Sequence, residues 1–120
     1  MKQLVDMLLS RQSVNLHAPH GRGRRYILQR LQLQLVDVRV RKIDLKREQK
    51  QWDVWCEDVS CLSGQVIVII HNIEFLTAKQ KSDLPRLRRF VLLCVSVLPM
   101  LDEGMALIEI PIGLVEKGES

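Results

Sequence analysis

Hydrophobic and polar positions along the chain change period several times, and each change marks an element. In "LVDMLLS" (Leu4 to Ser10) apolar residues recur at helical spacing and predict a short opening helix. "SVNLHA" predicts a brief strand, ended by Pro19 and the glycines that follow. Ile27, Leu28, Leu31 and Leu35 then step by three and four, one face of a helix running from Gly23 to Leu35. "VDVRVRKIDL" alternates, with Val36, Val38, Val40 and Ile43 set against Asp37, Arg39 and Arg41. That predicts a half-buried strand at or near a sheet edge.

Residues 47–62 are polar, with Trp52, Trp55, Val59 and Leu62 at helical steps. "QVIVII" (Gln65 to Ile70) is a continuous β-branched run, the mark of a strand buried on both faces of a parallel sheet. Residues 78–89 read as a charged helix with Pro85 inside or near its start. "FVLLCVS" reads as a second buried strand and "ALIEIPI" (Ala106 to Ile112) as a fifth. Strands alternating with helices imply right-handed crossovers. The predicted fold is a single α/β domain over residues 1–120, about five parallel strands with helices on both faces. In such sheets ligands sit beyond the carboxyl ends of the strands.

Composition narrows the class. Hydrophobic residues are 47% and charged residues 27%, which excludes a disordered chain, while aromatics at 4% leave an aliphatic core. The longest apolar run, "FVLLCVSVLPML", falls short of the roughly 20 residues that span a bilayer, so no membrane is expected. Cys56, Cys61 and Cys94 lack zinc-like pairing, and reduced thiols in a cytoplasmic compartment are the expectation. The net charge of +4 favours anionic partners. The charge is uneven, basic over Arg22 to Arg30 and Arg39 to Lys50 and acidic from Asp102 onward.

The turn "HAPHGRGRR" lies where a phosphate loop, G-x-x-x-x-G-K-[ST], would follow the first strand. Glycines there let backbone N–H groups converge on phosphates at the positive end of the next helix. Ala18 stands at the first glycine, while Gly21 and Gly23 remain. Arg24 replaces the lysine, trading a compact ammonium for a planar fork. Arg25 replaces the hydroxyl residue that would hold Mg²⁺, and a cation cannot ligate a cation. The strand that should end in a metal-holding acid is "VIVII". It is followed by His71 and Asn72, with Glu74 three residues beyond the strand end.

The order "SVNLHAPHGRGRRYILQRL", "VRVRKIDL", "VIVIIHNIEFL" and "RRFVLLCVS" resembles the nucleotide-binding core of the STAND branch of P-loop ATPases, in its inactive members. That resemblance implies a P-loop fold with nucleotide hydrolysis lost, Ser96 at a polar sensor position, and a regulatory or scaffold role in signalling or defence-type systems. With the chain ending at Ser120 after its fifth strand, no lid domain is expected. The function expected is therefore a catalytically inactive interaction module with a protein partner and no cofactor or metal. One alternative is nucleotide or polyphosphate binding without Mg²⁺ or hydrolysis, through Gly21, Gly23, Arg24 and Arg25. The other is nucleic-acid binding through the basic strand.

Each feature also has a plain reading. Arg22, Arg24 and Arg25 form either an anion site or a solvated basic turn; cations at a helix start oppose its dipole, which favours a compensating anion. Arg39, Arg41 and Lys42 form either an anion or nucleic-acid track or the charged guard of an edge strand. His17, His20 and His71 lack a further ligand at zinc spacing and read as loop histidines. Trp52 and Trp55 share a helix face and are expected to pack against the sheet.

Overall fold

A computed structural model describes residues 1–18, 23–100 and 106–117. Helix α1 (Lys2–Leu9) leads into strand β1 (Val14–His17), helix α2 (Arg24–Gln34) and strand β2 (Arg39–Asp44). A short helix α3 (Leu45–Glu48) and a 3-10 turn carry the chain into α4 (Trp52–Ser60) and strand β3 (Val66–His71). After a 3-10 turn over Ile73–Phe75 come α5 (Ala78–Lys81) and a further 3-10 turn over Leu84–Leu87. Strand β4 (Val91–Ser96), strand β5 (Ile108–Pro111) and helix α6 (Ile112–Lys117) complete the order.

The five strands form one sheet in the order β2-β3-β4-β1-β5, and every pairing is parallel. The sheet has an apolar layer on each face because its strands alternate. On one face Val14, Leu16, Ile67, Ile69, Leu93 and Val95 pack with residues of α1, α2 and α6. On the other, Val66, Val68, Ile70, Leu92 and Cys94 pack with Trp52, Cys56 and Val59 of α4 and with Leu84, Leu87 and Phe90. All six residues of β3 are buried, as its β-branched run requires. Each fully buried Ile, Leu or Val contributes roughly 1.5–3 kcal/mol. The expected α/β fold, a small parallel sheet of P-loop type with helices on both faces, is the one observed.

Several elements differ from their sequence signals. Strand β2 begins at Arg39 rather than Val36, because the chain turns at residues 35–38 with Val38 N–H bonded to Leu35 C=O at 3.2 Å. Val36 is left 76% exposed, so its place in the alternation was misleading. The stretch 47–62 divides into α3, a 3-10 turn and α4. The charged helix of 78–89 also divides. Thr77 and Gln80 cap α5 reciprocally, and Pro85, which has no N–H to donate, sits at the start of the next 3-10 turn. Helix α6 had no place in the expected pattern, where the chain ended on its fifth strand. It buries Ile112 and Val115, and the Met1 ammonium lies 3.4 Å from the Val115 carbonyl.

Trp52 is fully buried and donates from Nε1 to Asp83 Oδ2 at 3.1 Å, with the half-buried Trp55 ring 5.5 Å away. Packing against the sheet is thus borne out for Trp52. Among the described residues no helix is long and apolar enough to cross a membrane.

Candidate functional site

The carboxyl ends of β1, β2 and β3 and the start of α2 meet at one end of the sheet. Gly23 precedes α2 with φ of 82°, a left-handed conformation that a residue without Cβ adopts freely. Its carbonyl accepts the first helical bond, from Ile27 N–H at 3.0 Å. Arg24 is therefore the first residue of α2. Gly21 and Arg22 lie outside the described residues, as does His20.

Arg24 reaches across to the end of β3. Its Nη1 donates to Asn72 Oδ1 at 2.6 Å and lies 3.5 Å from Glu74 Oε1. Asn72 donates in turn from Nδ2 to Asp44 Oδ1 at 2.7 Å. Asp44 ends β2 and caps α3, accepting from Lys46 N–H at 3.1 Å, while its own N–H donates to Glu48 Oε1 at 3.2 Å. A chain of polar contacts thus joins α2, β3 and β2 across residues far apart in sequence. Asn72 is 3% exposed and sits at φ 61°, a left-handed conformation that Asn tolerates better than most residues.

His71 is the last residue of β3, where the phosphoryl-transfer class places its metal-holding acid. It is buried, and its Nδ1 lies 3.8 Å from Asp44 Oδ2. Nε2 has no hydrogen-bond partner. Burial pushes the imidazole below its ordinary pKa, Asp44 opposes this, and Arg24, Arg25 and Lys42 push it further down. The ring is neutral at neutral pH. Asp44 experiences the reverse balance. Burial raises its pKa, but bonds from Asn72 and the Lys46 N–H, with His71 and Arg47 nearby, leave it net lowered and ionised.

The sequence-predicted residues therefore divide. Arg24, Asn72, Glu74 and His71 converge, and Glu74, remote from the strand end in sequence, comes to Arg24 through the 3-10 turn. Arg25 lines this crevice and also a neighbouring groove beside β2, which it shares with Lys42, Arg47 and His71. Strand β2 is an edge strand, as its alternation predicted. Arg39 and Arg41 are exposed in register with Val66 and Val68, whereas Lys42 pairs with Ile69 and so faces the α2 side. The basic strand thus divides its cations between two faces of the sheet.

Two polar elements escaped the sequence reading. Asp44 passed as the polar member of an alternating strand, yet an Asp directly before "LKRE" is also a helix-cap signal. Asn15, fully buried on β1, donates from Nδ2 to Ser96 Oγ at 3.1 Å and to Glu109 Oε2 at 2.8 Å. Ser96, the expected sensor position, also donates to the Leu98 carbonyl, and Glu109 Oε1 accepts from Met100 N–H at 2.8 Å. Among the described residues no group of three or more His, Cys, Asp and Glu side chains is arranged to hold a metal ion.

No known protein-family model matches the chain, and no curated protein matches it. Solved structures do. A chain in the structure of Drosophila ORC bound to AT-rich DNA and Cdc6 superposes with a TM-score of 0.60 at 12% identity, covering 92% of this chain and 51% of that one. At that identity the likeness concerns the fold alone: this chain has a P-loop-like α/β fold and spans about half the length of its structural neighbour.

Proposed function

We propose that this chain is a catalytically inactive P-loop-type domain, of the inactive STAND kind, that serves as a protein-interaction or regulatory module. The observation that carries the reading is the engagement of Arg24. A working phosphate loop holds its cation ready for the β- and γ-phosphates and places a hydroxyl on Mg²⁺. Here the cation at that position is bonded to Asn72 at 2.6 Å, the residue beside the strand end where a water-orienting acid would stand. Arg25 and His71 occupy the two places from which oxygen ligands would reach a divalent ion. Cation and former acid position satisfy one another within the chain.

The thiols fit a reducing, cytoplasmic setting. Cys56, Cys61 and Cys94 are all free, and burial pushes the Cys56 and Cys94 thiols up to about 12, which keeps them protonated. A phosphate-release assay with Mg²⁺-ATP and Mg²⁺-GTP at high protein concentration tests the reading. No turnover above the buffer blank is expected. Turnover abolished by Arg24→Ala would overturn it.

Nucleotide binding without magnesium is the second reading, favoured by the groove that Gly23, Arg24, Arg25, Tyr26 and Lys46 line with His71 and Asn72. Calorimetry with ATP separates the two. Heat that is the same with and without Mg²⁺ supports this second reading, and absence of heat at millimolar ATP removes it.

A further inference from the structure

We propose a phosphoryl-dianion site in the groove between α2 and the edge strand β2, beside the crevice that follows β1 and sharing Arg25 and His71 with it. Four elements supply its walls: Arg25 and the amides Gln29 and Gln32 from α2, Lys42 from β2, Arg47 from α3, and His71 from the end of β3. The open groove has a volume of about 240 Å³, room for a phosphate group with part of what carries it.

Three observations point to an anion. First, Arg25, Lys42 and Arg47 come from three different elements, and none of them makes an ion pair or side-chain hydrogen bond with another described side chain. Second, among the described residues their mutual repulsion has only one acid to offset it in the groove wall, Asp44. That acid is engaged through Oδ1 by Asn72 Nδ2 and the Lys46 N–H, with Oδ2 3.8 Å from His71 Nδ1, so one carboxylate is left to offset three cations. Third, His71 is 6% exposed, lines the groove, and has an Nε2 without a hydrogen-bond partner. A buried polar atom left unsatisfied costs roughly 1–3 kcal/mol, which a bound ligand relieves.

The chemistry of recognition follows from these groups. The two guanidinium forks suit the paired oxygens of a phosphoryl group, and Lys42 adds a point charge. Burial first, and then the facing cations Arg24, Arg25 and Lys42, push the imidazole below its ordinary pKa against the opposing pull of Asp44. A dianion beside those cations reverses the balance. His71 then takes up a proton, and its charge joins those of Arg25, Lys42 and Arg47 facing the ligand. Binding of the dianion is accordingly coupled to proton uptake by His71 and strengthens, per dianion, as pH falls.

The experiment is an NMR titration of the whole chain with inorganic phosphate, and in parallel with N-acetyl-phosphoserine amide, at pH 7.5 and 6.0 with chloride holding ionic strength constant. Amide shifts should centre on residues 42–47 and 71. The His71 imidazole should titrate at higher pH in phosphate than in chloride, and affinity counted per dianion, after allowing for the ligand's own protonation near pH 6, should be severalfold tighter at pH 6.0. The double variant Lys42→Gln/Arg47→Gln, both exposed side chains, should weaken binding at least tenfold. Arg86→Gln, on the opposite face and paired there with Glu57 at 3.1 Å, should leave binding unchanged. Tighter binding of the phosphoserine compound assigns the ligand to a phosphorylated partner, and tighter binding of phosphate assigns it to the free ion. Shifts confined to residues 23–26 and untouched by the double variant would overturn the proposal. So would a His71 titration identical in phosphate and chloride.

Discussion

Replacing Asn72 tests the polar bridge that spans the crevice, and two substitutions separate its components. Asn72→Ala removes the acceptor of the Arg24 bond at 2.6 Å and the donor of the Asp44 bond at 2.7 Å. Hydrogen bonds to charged groups contribute about 1.5–3 kcal/mol each. The side chains of Arg24 and Asp44 are 18% and 17% exposed, so water partly replaces the lost partner and the lower figure applies. That gives about 3 kcal/mol for the two bonds. Alanine must also hold the left-handed conformation at φ 61°, which adds about 1 kcal/mol. Asn72→Gly loses the same bonds without that strain, so it should be about 1 kcal/mol milder. Urea unfolding followed by tryptophan fluorescence measures both variants. The expected losses are about 4 kcal/mol for alanine and about 3 for glycine, at unchanged m. Losses below about 1 kcal/mol in both, or a glycine variant weaker than the alanine one, would refute the reasoning.

Other consequences follow from the same contacts. Both His71 and Asp44 have lowered pKa values in the folded chain. The unfolded imidazole binds a proton below its ordinary 6.5 while the folded one resists, so stability should fall as pH drops below about 6.5 in phosphate-free buffer. Asp44's contribution, present above its ordinary 3.8, is lost at lower pH still. His71→Asn should flatten the first decline and leave the second, as melting temperatures between pH 3 and 8 would record. Trp52→Phe removes the Nε1–Asp83 bond and opens a void, and chemical denaturation should show a loss of about 1–2 kcal/mol. Asn15→Ala and Glu109→Ala should be coupled by about 1–2 kcal/mol in a double-mutant cycle, since each strips a partner from the other across β1 and β5.

The parallel sheet was legible because its middle strands carry no polar interruption: "VIVII" and "LLCV" admit only burial on two faces. Strand β2 was legible as an edge from its charges, but its start was not, since Val36 continues the alternation while lying in a turn. Helix α6 was hidden by its length of 6 residues, too few to establish a period. Of the candidate site, the loop and strand-end positions could be found because a known motif fixes their spacing. Asp44 and Asn15 could not. Their roles arise from contacts 28 and 81–94 residues away in sequence, and no local pattern encodes the partner of a buried polar side chain.

The central claim is that Arg24, Asn72 and His71 leave a divalent ion no place in the crevice. Paramagnetic broadening by Mn²⁺ in the presence of ATP reports on that place atom by atom. The account predicts that amides of residues 23–26 and 71–74 keep their linewidths when Mn²⁺-ATP is added, apart from the uniform effect on the whole surface. Selective broadening at those residues that Mg²⁺ reverses would contradict it.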